Sequence, residues 1–380
     1  MVDPEGAGKA PLLIVGGAAG SRGVVCSASY ETRAFGVRSA MPISRALRLC
    51  PDAMCVPVPR GACSRTHREI RAVLERFAPV VQAASIDEWY LDLDGTDALY
   101  HGASLDTLAH RIRDAVRADT SLSVSIGGGT SKLVAKLAVE RAKPRSGATG
   151  VHVVLPGEEL AFMRQLTLAD IPGIGPKTTA RLAERGLRTV EDVLALDHAA
   201  LARLVGARDA DWLAARVRGE DTGAVEERDV AKSISRDETF DADIHDDLVL
   251  EGELTELVGR AAAELRSEGL TSRSITVRIR DTDFTTRQAS RTVDEALSSD
   301  RALFAIARTL LRKLRKARRV PARLLGVGLA NFTPPAPKQL ALFDFVSPPL
   351  ESRKDVEVAR AMDAVRARFG RHAIAPGRKR

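Results

Sequence analysis

The chain has 380 residues, 44% hydrophobic and 28% charged, an ordinary folded-protein composition with material for two or three domains of roughly 150 residues each. Its formal net charge of +7 suits a polyanionic partner, and no apolar run nears the ~18 residues of a membrane span. The N-terminal residues lack the apolar core of a signal peptide, so the expectation is a cytoplasmic protein with no membrane contact. The four cysteines, Cys26, Cys50, Cys55 and Cys63, form no C-x-x-C pair. That argues against structural zinc and for thiols in a reducing compartment.

In chain order, Leu12 to Val15 and Val24 to Ser29 read as short strands, and Thr32 to Phe35 and Ile43 to Leu49 as short helices. His67 to Phe77 reads as a helix. Val80 to Leu93 reads as extended chain and carries the pair Asp87-Glu88. Leu105, Leu108, Ile112 and Val116 recur with helical spacing, predicting a helix over 105–118. A strand over 121–127 and a helix over 131–142 follow. The mixed order implies an α/β or α+β domain in the first ~150 residues. Residues 156 to 220 read as helices with short turns. Ser274 to Arg280 alternates as a half-buried strand, and Asp300 to Arg318 reads as a very basic helix, expected to sit behind the sheet with its charges only tuning the field. Leu324 to Phe332 is a further strand, and Pro334 to Pro337 a linker. Val358, Met362, Val365 and Phe369 form a helical stripe ending at Gly370.

Two segments carry chemistry. Adjacent ionised carboxylates repel, and a divalent cation relieves that repulsion, so Asp87-Glu88 is a candidate Mg²⁺ site. A solvated acidic pair at a strand end is the plain alternative. Ile171-Pro172-Gly173-Ile174-Gly175-Pro176-Lys177 sets two glycines between helices, with Pro176 suited to the first position of the second helix. Such a hairpin aims backbone N–H groups at a phosphate, and Lys177 adds charge. The alternative is a simple glycine turn.

These segments, with Ser29 to Pro42, Ser125-Ile126-Gly127, Ser131 to Lys136, Ala142-Lys143-Pro144 and Lys232 to Arg236, resemble the Y-family DNA polymerases of the bacterial DNA polymerase IV type. The resemblance implies an α+β multidomain right-hand polymerase with palm, fingers, a helical thumb containing a helix-hairpin-helix, and a little-finger α/β domain. It divides the chain into 1–58 fingers with a remnant of the N-terminal palm, 59–150 palm, 151–229 thumb, 230–333 little finger, and 334–380 linker, clamp-binding peptide and C-terminal helix. It implies that Asp87 and Glu88 are catalytic and bind two Mg²⁺ ions. Tyr30, Arg33 and Lys143 would grip the dNTP. Gly173, Gly175, Lys177, Lys232, Arg236, Arg278 and Arg280 would bind primer–template DNA, with Arg287 and Arg291 on a second run. Small residues at Ser39 to Met41 would leave room for damaged templates. Gln339, Leu340, Leu342 and Phe343 resemble the peptide by which bacterial polymerases bind the sliding clamp. The implied protein is a monomeric, error-prone translesion DNA polymerase without proofreading.

The family's first palm strand, with its Asp-x-Asp-x-Phe-Phe/Tyr motif, has no counterpart in this sequence; Asp3 falls in the loop that follows it. Two readings result. The recorded start lies inside a longer, ordinary polymerase, or the chain is a non-catalytic DNA- and clamp-binding accessory. A helix-hairpin-helix repair protein is a third, covering only residues 156 to 220.

Overall fold

The computed structural model describes residues 3–96, 98–144, 149–227, 231–334, 349–370 and 373–374. They form two units, one within Met1–Val58 and Val230–Arg380, the other within Pro59–Asp229.

The first segment holds a three-stranded sheet of β1 (Leu13–Gly16), β2 (Val25–Ala28) and β3 (Met54–Pro57), with β1 central. β1 runs antiparallel to β2 and parallel to β3, and α1 (Tyr30–Ala34) and α2 (Ile43–Leu49) make the crossover. Ile14, Val25, Val37, Ile43 and Ala46 close its core. The Ser29 hydroxyl accepts the Thr32 N–H to start α1, and Gly36 at φ +88° ends the turn that follows.

In the second unit, α3 (Arg60–Leu74) starts seven residues before the expected His67. β4 (Val80–Ala83) and β5 (Trp89–Asp92) form an antiparallel hairpin, with Val80 opposite Asp92 and Ala83 opposite Trp89. α4 (Leu105–Thr120) buries Leu108, Ile112 and Val116 against Ile70, Val73 and Val81, as its periodicity predicts. β6 (Ile126–Gly128) pairs in parallel with β7 (Val151–Val153), and α5 (Lys132–Ala142) lies across them. A Cβ on Gly127 would overlap the Ala135 carbonyl and the Val139 nitrogen, so only glycine lets α5 approach this closely. α6 (Glu159–Met163), α7 (Pro176–Ala183), α8 (Val190–Leu194), α9 (His198–Val205) and α10 (Ala207–Val217) share a core with Leu133, Val134 and Leu137 of α5.

The remaining part of the first unit is an antiparallel sheet of β8 (Ser233–Ile244), β9 (Thr271–Asp281), β10 (Thr286–Leu297) and β11 (Ala322–Thr333), ordered β10-β9-β11-β8. α11 (Asp247–Ser267) and α12 (Asp300–Ala317) cover one face, burying Leu250, Leu254, Leu257, Leu303 and Leu311 against Ile275, Val277, Ile279 and Leu325. Each such side chain contributes about 1.5–3 kcal/mol by leaving water. Arg22 of the β1–β2 loop donates to the Phe240 carbonyl (3.3 Å) and forms an ion pair with Asp243 at the end of β8. The Thr282 hydroxyl and Arg22 together hold the Asp243 carboxyl below its usual range.

α13 (Arg353–Phe369) docks on α12. Of the apolar stripe, Val358 is 49% and Phe369 67% exposed while Met362 and Val365 are half-buried, and Ala359 is the buried contact. Charge carries the docking instead. Arg266 of α11 donates to both Asp363 oxygens (2.7 and 2.9 Å) and to Asp300 (2.8 Å). Buried Glu351 accepts the Ser298 N–H (2.8 Å) at the head of α12. Among the described residues, no helix is long and apolar enough to cross a membrane.

Candidate active site

The acidic pair ends a tight turn and leads into β5. The Ala84 and Ser85 N–H groups both donate to the Glu88 carbonyl (2.9 and 3.2 Å), closing the hairpin, and His67 of α3 contacts the Ile86 carbonyl through Nδ1 (2.9 Å). The Ser85 hydroxyl donates to Asp87 Oδ1 (2.6 Å). Both carboxylates are exposed, as a site that meets a soluble substrate requires.

Strand alternation then sorts the side chains. Trp89 turns to the α3 side, stacks on His67 (5.0 Å between centroids) and joins that core. Glu88 and Tyr90 turn to α5. Lys136 reaches both Glu88 oxygens (3.0 and 3.1 Å), and Lys132, one turn earlier, donates to Gln82 Oε1 (2.6 Å) and lies over the Tyr90 ring (5.0 Å). Burial depresses the Lys136 pKa, but the Glu88 hydrogen bond and charge outweigh it and leave it raised. Burial also raises the Tyr90 hydroxyl. Both lysines are site residues that sequence reasoning quoted only as part of a motif; their spacing of four on a capped helix was the available signal.

Among the described residues no three acidic, histidine or cysteine side chains cluster as a metal cage. Mg²⁺ is commonly held by one or two carboxylates with substrate phosphates and water, so the two hard oxygen donors of Asp87 and Glu88 fit such an ion. Lys136 already places a cation against Glu88.

The chain is similar to known proteins over nearly its whole length. Residues 5–140 match the impB/mucB/samB family and residues 231–342 its C-terminal domain. Residues 166–215 match the SAM-like helix-hairpin-helix tandem. DNA polymerase IV of Caulobacter vibrioides is 36% identical over 366 residues, 96% of this chain and 87% of that protein. The chain belongs to the Y-family DNA polymerases, of the DNA polymerase IV type. DNA polymerase IV of Dehalococcoides mccartyi is 35% identical over 96% of this chain and 90% of its own length. A solved Y-family polymerase chimera of Dbh and Dpo4 superposes with a TM-score of 0.77 at 26% identity, covering 86% of this chain and 93% of that one. An insertion ternary complex of Dbh DNA polymerase gives 0.59 at 26% identity, over 88% and 95%. The α+β fold with a helix-hairpin-helix and a sheet-and-helix domain is that of a Y-family polymerase.

The other expected residues of this polymerase fall into four groups. Tyr30 is exposed on α1, and Arg33, on the same helical face, donates through Nε to the Ala28 carbonyl (3.0 Å). Lys143 follows α5 and forms an ion pair with Glu140.

In the hairpin, Ile171 and Ile174 are buried anchors while Gly173, Gly175 and Lys177 are exposed. Gly173 has φ +98° and Pro176 opens α7. The Gly173 and Gly175 N–H groups donate to no acceptor among the described residues, the state expected of phosphate donors.

On the sheet, Arg278 and Arg280 lie on the open face beside a row of hydroxyls that includes the Ser274–Thr292 (2.7 Å) and Thr276–Ser290 (2.8 Å) pairs. Lys232 is exposed just before β8. Arg236 does not join them, since its register opposite Val327 puts it on the helix side, where it forms an ion pair with Glu264 of α11. Arg287 and Arg291 also face away from Arg278 and Arg280: they lie opposite Ile279 and Ile275, and Arg287 binds the fully buried Asp281 (2.9 Å). The basic helix does sit behind the sheet, with Arg312 paired to Glu251, Arg315 to Asp247 and Arg318 to Asp281 and Asp283. Gln339, Leu340, Leu342 and Phe343 lie outside the described residues.

Proposed function

We propose that Asp87 and Glu88 hold two Mg²⁺ ions for the DNA-directed DNA synthesis of this translesion-type polymerase. The observation that carries this reading is the tight turn presenting both carboxylates, with a lysine already set against Glu88, in a chain of this family. In the reaction, the primer 3′-oxygen forms a bond to the dNTP α-phosphorus and the bond to the departing pyrophosphate breaks. Bound Mg²⁺ supplies the charge that lowers the pKa of the 3′-hydroxyl and offsets the negative charge on the transferring phosphate. Ser85 orients Asp87, and Lys136 orients Glu88.

Tyr30, Arg33 and Lys143 grip the dNTP triphosphate, Lys143 by offsetting charge on the departing pyrophosphate. Gly173, Gly175 and Lys177 hold the DNA backbone through bare N–H groups and charge. Lys232, Arg278 and Arg280 bind phosphates from the open sheet, and Arg236 contributes once its Glu264 pair opens. These roles map residues 1–58 to fingers and part of the palm, 59–150 to palm, 151–229 to thumb and 230–333 to little finger. Residues 334–380 carry the sliding-clamp peptide Gln339 to Phe343 and a C-terminal helix. The protein works as a monomer, because every role falls on one chain, and in the cytoplasm, where its chromosomal substrate lies. The relatives named above are polymerases, and nothing in them supports a non-catalytic accessory.

Primer extension with Mg²⁺ and dNTPs tests the assignment. Asp87→Ala and Glu88→Ala should each abolish extension while leaving primer–template binding intact. Extension at the wild-type rate in Glu88→Ala would overturn it.

A further inference from the structure

We infer that Trp212 is a positioning residue for DNA-backbone binding, setting the Gly173–Lys177 hairpin in its phosphate-receptive conformation from the neighbouring helix α10. A Cβ built on Gly173 would lie 2.9 Å from Trp212 Cζ2 and 3.2 Å from Cη2, so the edge of the indole rests directly against the hairpin backbone. Gly173 is therefore required twice, for its φ of +98° and for the space the indole takes. The indole is itself braced. The Arg216 guanidinium, one turn along α10, sits 5.7 Å from its centroid, and Arg216 is pinned to Asp221 at 3.1 Å. Trp212 nonetheless remains 37% exposed, so the indole meets solvent on one side and the hairpin backbone on the other. A braced, half-exposed aromatic wall fixes the left-handed turn before DNA arrives, so less ordering is left to be done on binding.

The inference rests on the hairpin being a DNA-backbone site, and its test separates the two. Trp212 acts on the shape of the hairpin, not on its charge. Duplex binding by Trp212→Ala should weaken five- to tenfold with an unchanged dependence on salt, and Trp212→Tyr, which keeps an aromatic edge of similar reach, should recover to within about threefold. Lys177→Ala should instead lower the salt slope by about one. Trp212 and Trp89 are the two tryptophans of the chain, so the emission of wild type minus that of Trp212→Tyr isolates Trp212. That difference should change on titration with a primer–template duplex, which a residue serving only the thumb core would not show. A flat difference signal, or wild-type affinity in Trp212→Ala while Lys177→Ala is weakened, overturns the inference alone. Wild-type affinity and salt slope in both variants overturns the hairpin reading with it.

Discussion

Lys136 Nζ lies 3.0 and 3.1 Å from the two carboxylate oxygens of Glu88, across from the turn that also presents Asp87. Both side chains are substantially exposed, so the pair adds no more than about 1 kcal/mol to folding. Its value is orientation. Lys136→Ala should leave the melting temperature nearly unchanged and slow primer extension about tenfold, because a carboxylate displaced by a fraction of an ångström loses its alignment with the reacting oxygens. Single-turnover extension beside thermal melting separates the two effects.

Gly127→Ala should damage the same alignment from below. The added methyl overlaps α5 backbone at Ala135 and Val139, so the helix that carries Lys132 and Lys136 must lift. A loss of about 1–3 kcal/mol in denaturant unfolding is expected, together with slower extension.

Arginines on opposite faces of one sheet should fail in opposite ways. Arg278→Ala and Arg280→Ala should weaken DNA binding and each lower the salt slope by about one, with little change in stability. Arg287→Ala should leave the slope intact but cost about 3 kcal/mol, because fully buried Asp281 then keeps only Arg318 as an ion-pair partner among the described residues. Salt titrations of binding and urea unfolding on the same variants give both readouts.

Asp355 opens α13 with a reciprocal cap: its carboxylate accepts from the Ser352 hydroxyl (2.6 Å) and Ser352 N–H (3.0 Å), and Arg301 donates to it as well (2.9 Å). The Ser352 hydroxyl and Arg301 hold its pKa down to about 2 from an ordinary 3.8. A depressed carboxyl stabilises the fold above its unfolded pKa and loses that contribution as pH falls through the folded one. The difference in melting temperature between wild type and Asp355→Asn should thus be full at pH 7 and shrink between about pH 4 and 2. A difference independent of pH would show that the cap does not depend on charge.

Local signals in the sequence reached the acidic pair and the glycine hairpin because each is specified by adjacent residues, Asp87-Glu88 in one case and Ile171 to Lys177 in the other; the turn that splits 80–93 into β4 and β5 reads in the sequence as continuous extended chain. They also placed α4, whose buried Leu108, Ile112 and Val116 follow one helical face. Side-chain direction in the large sheet was harder. Arg278 and Arg287 look alike in a string of letters, and only the pairing of Arg287 with Ile279 reveals that it faces the helices. Edge strand β8 hides behind its charges, with Arg236, Asp237 and Glu238 interrupting any alternation. Neither β8 nor the 21-residue α11 was singled out as an element. The C-terminal helix is legible as a helix that packs on the protein, but its docking rests on Arg266, Asp363 and Glu351, and the apolar stripe is only half-buried, at Met362 and Val365.

Arg22 and its carboxylate partner Asp243 are 221 positions apart in a chain made from one end to the other. At 5–20 residues per second, roughly 10 to 40 s of translation separate the two residues. Throughout that interval the intervening segment, Pro59–Asp229, emerges while Arg22 lacks its carboxylate partner. The order of synthesis therefore makes this ion pair a late one, and a ribosome paused before residue 243 would hold a nascent chain whose β1–β2 loop lacks it.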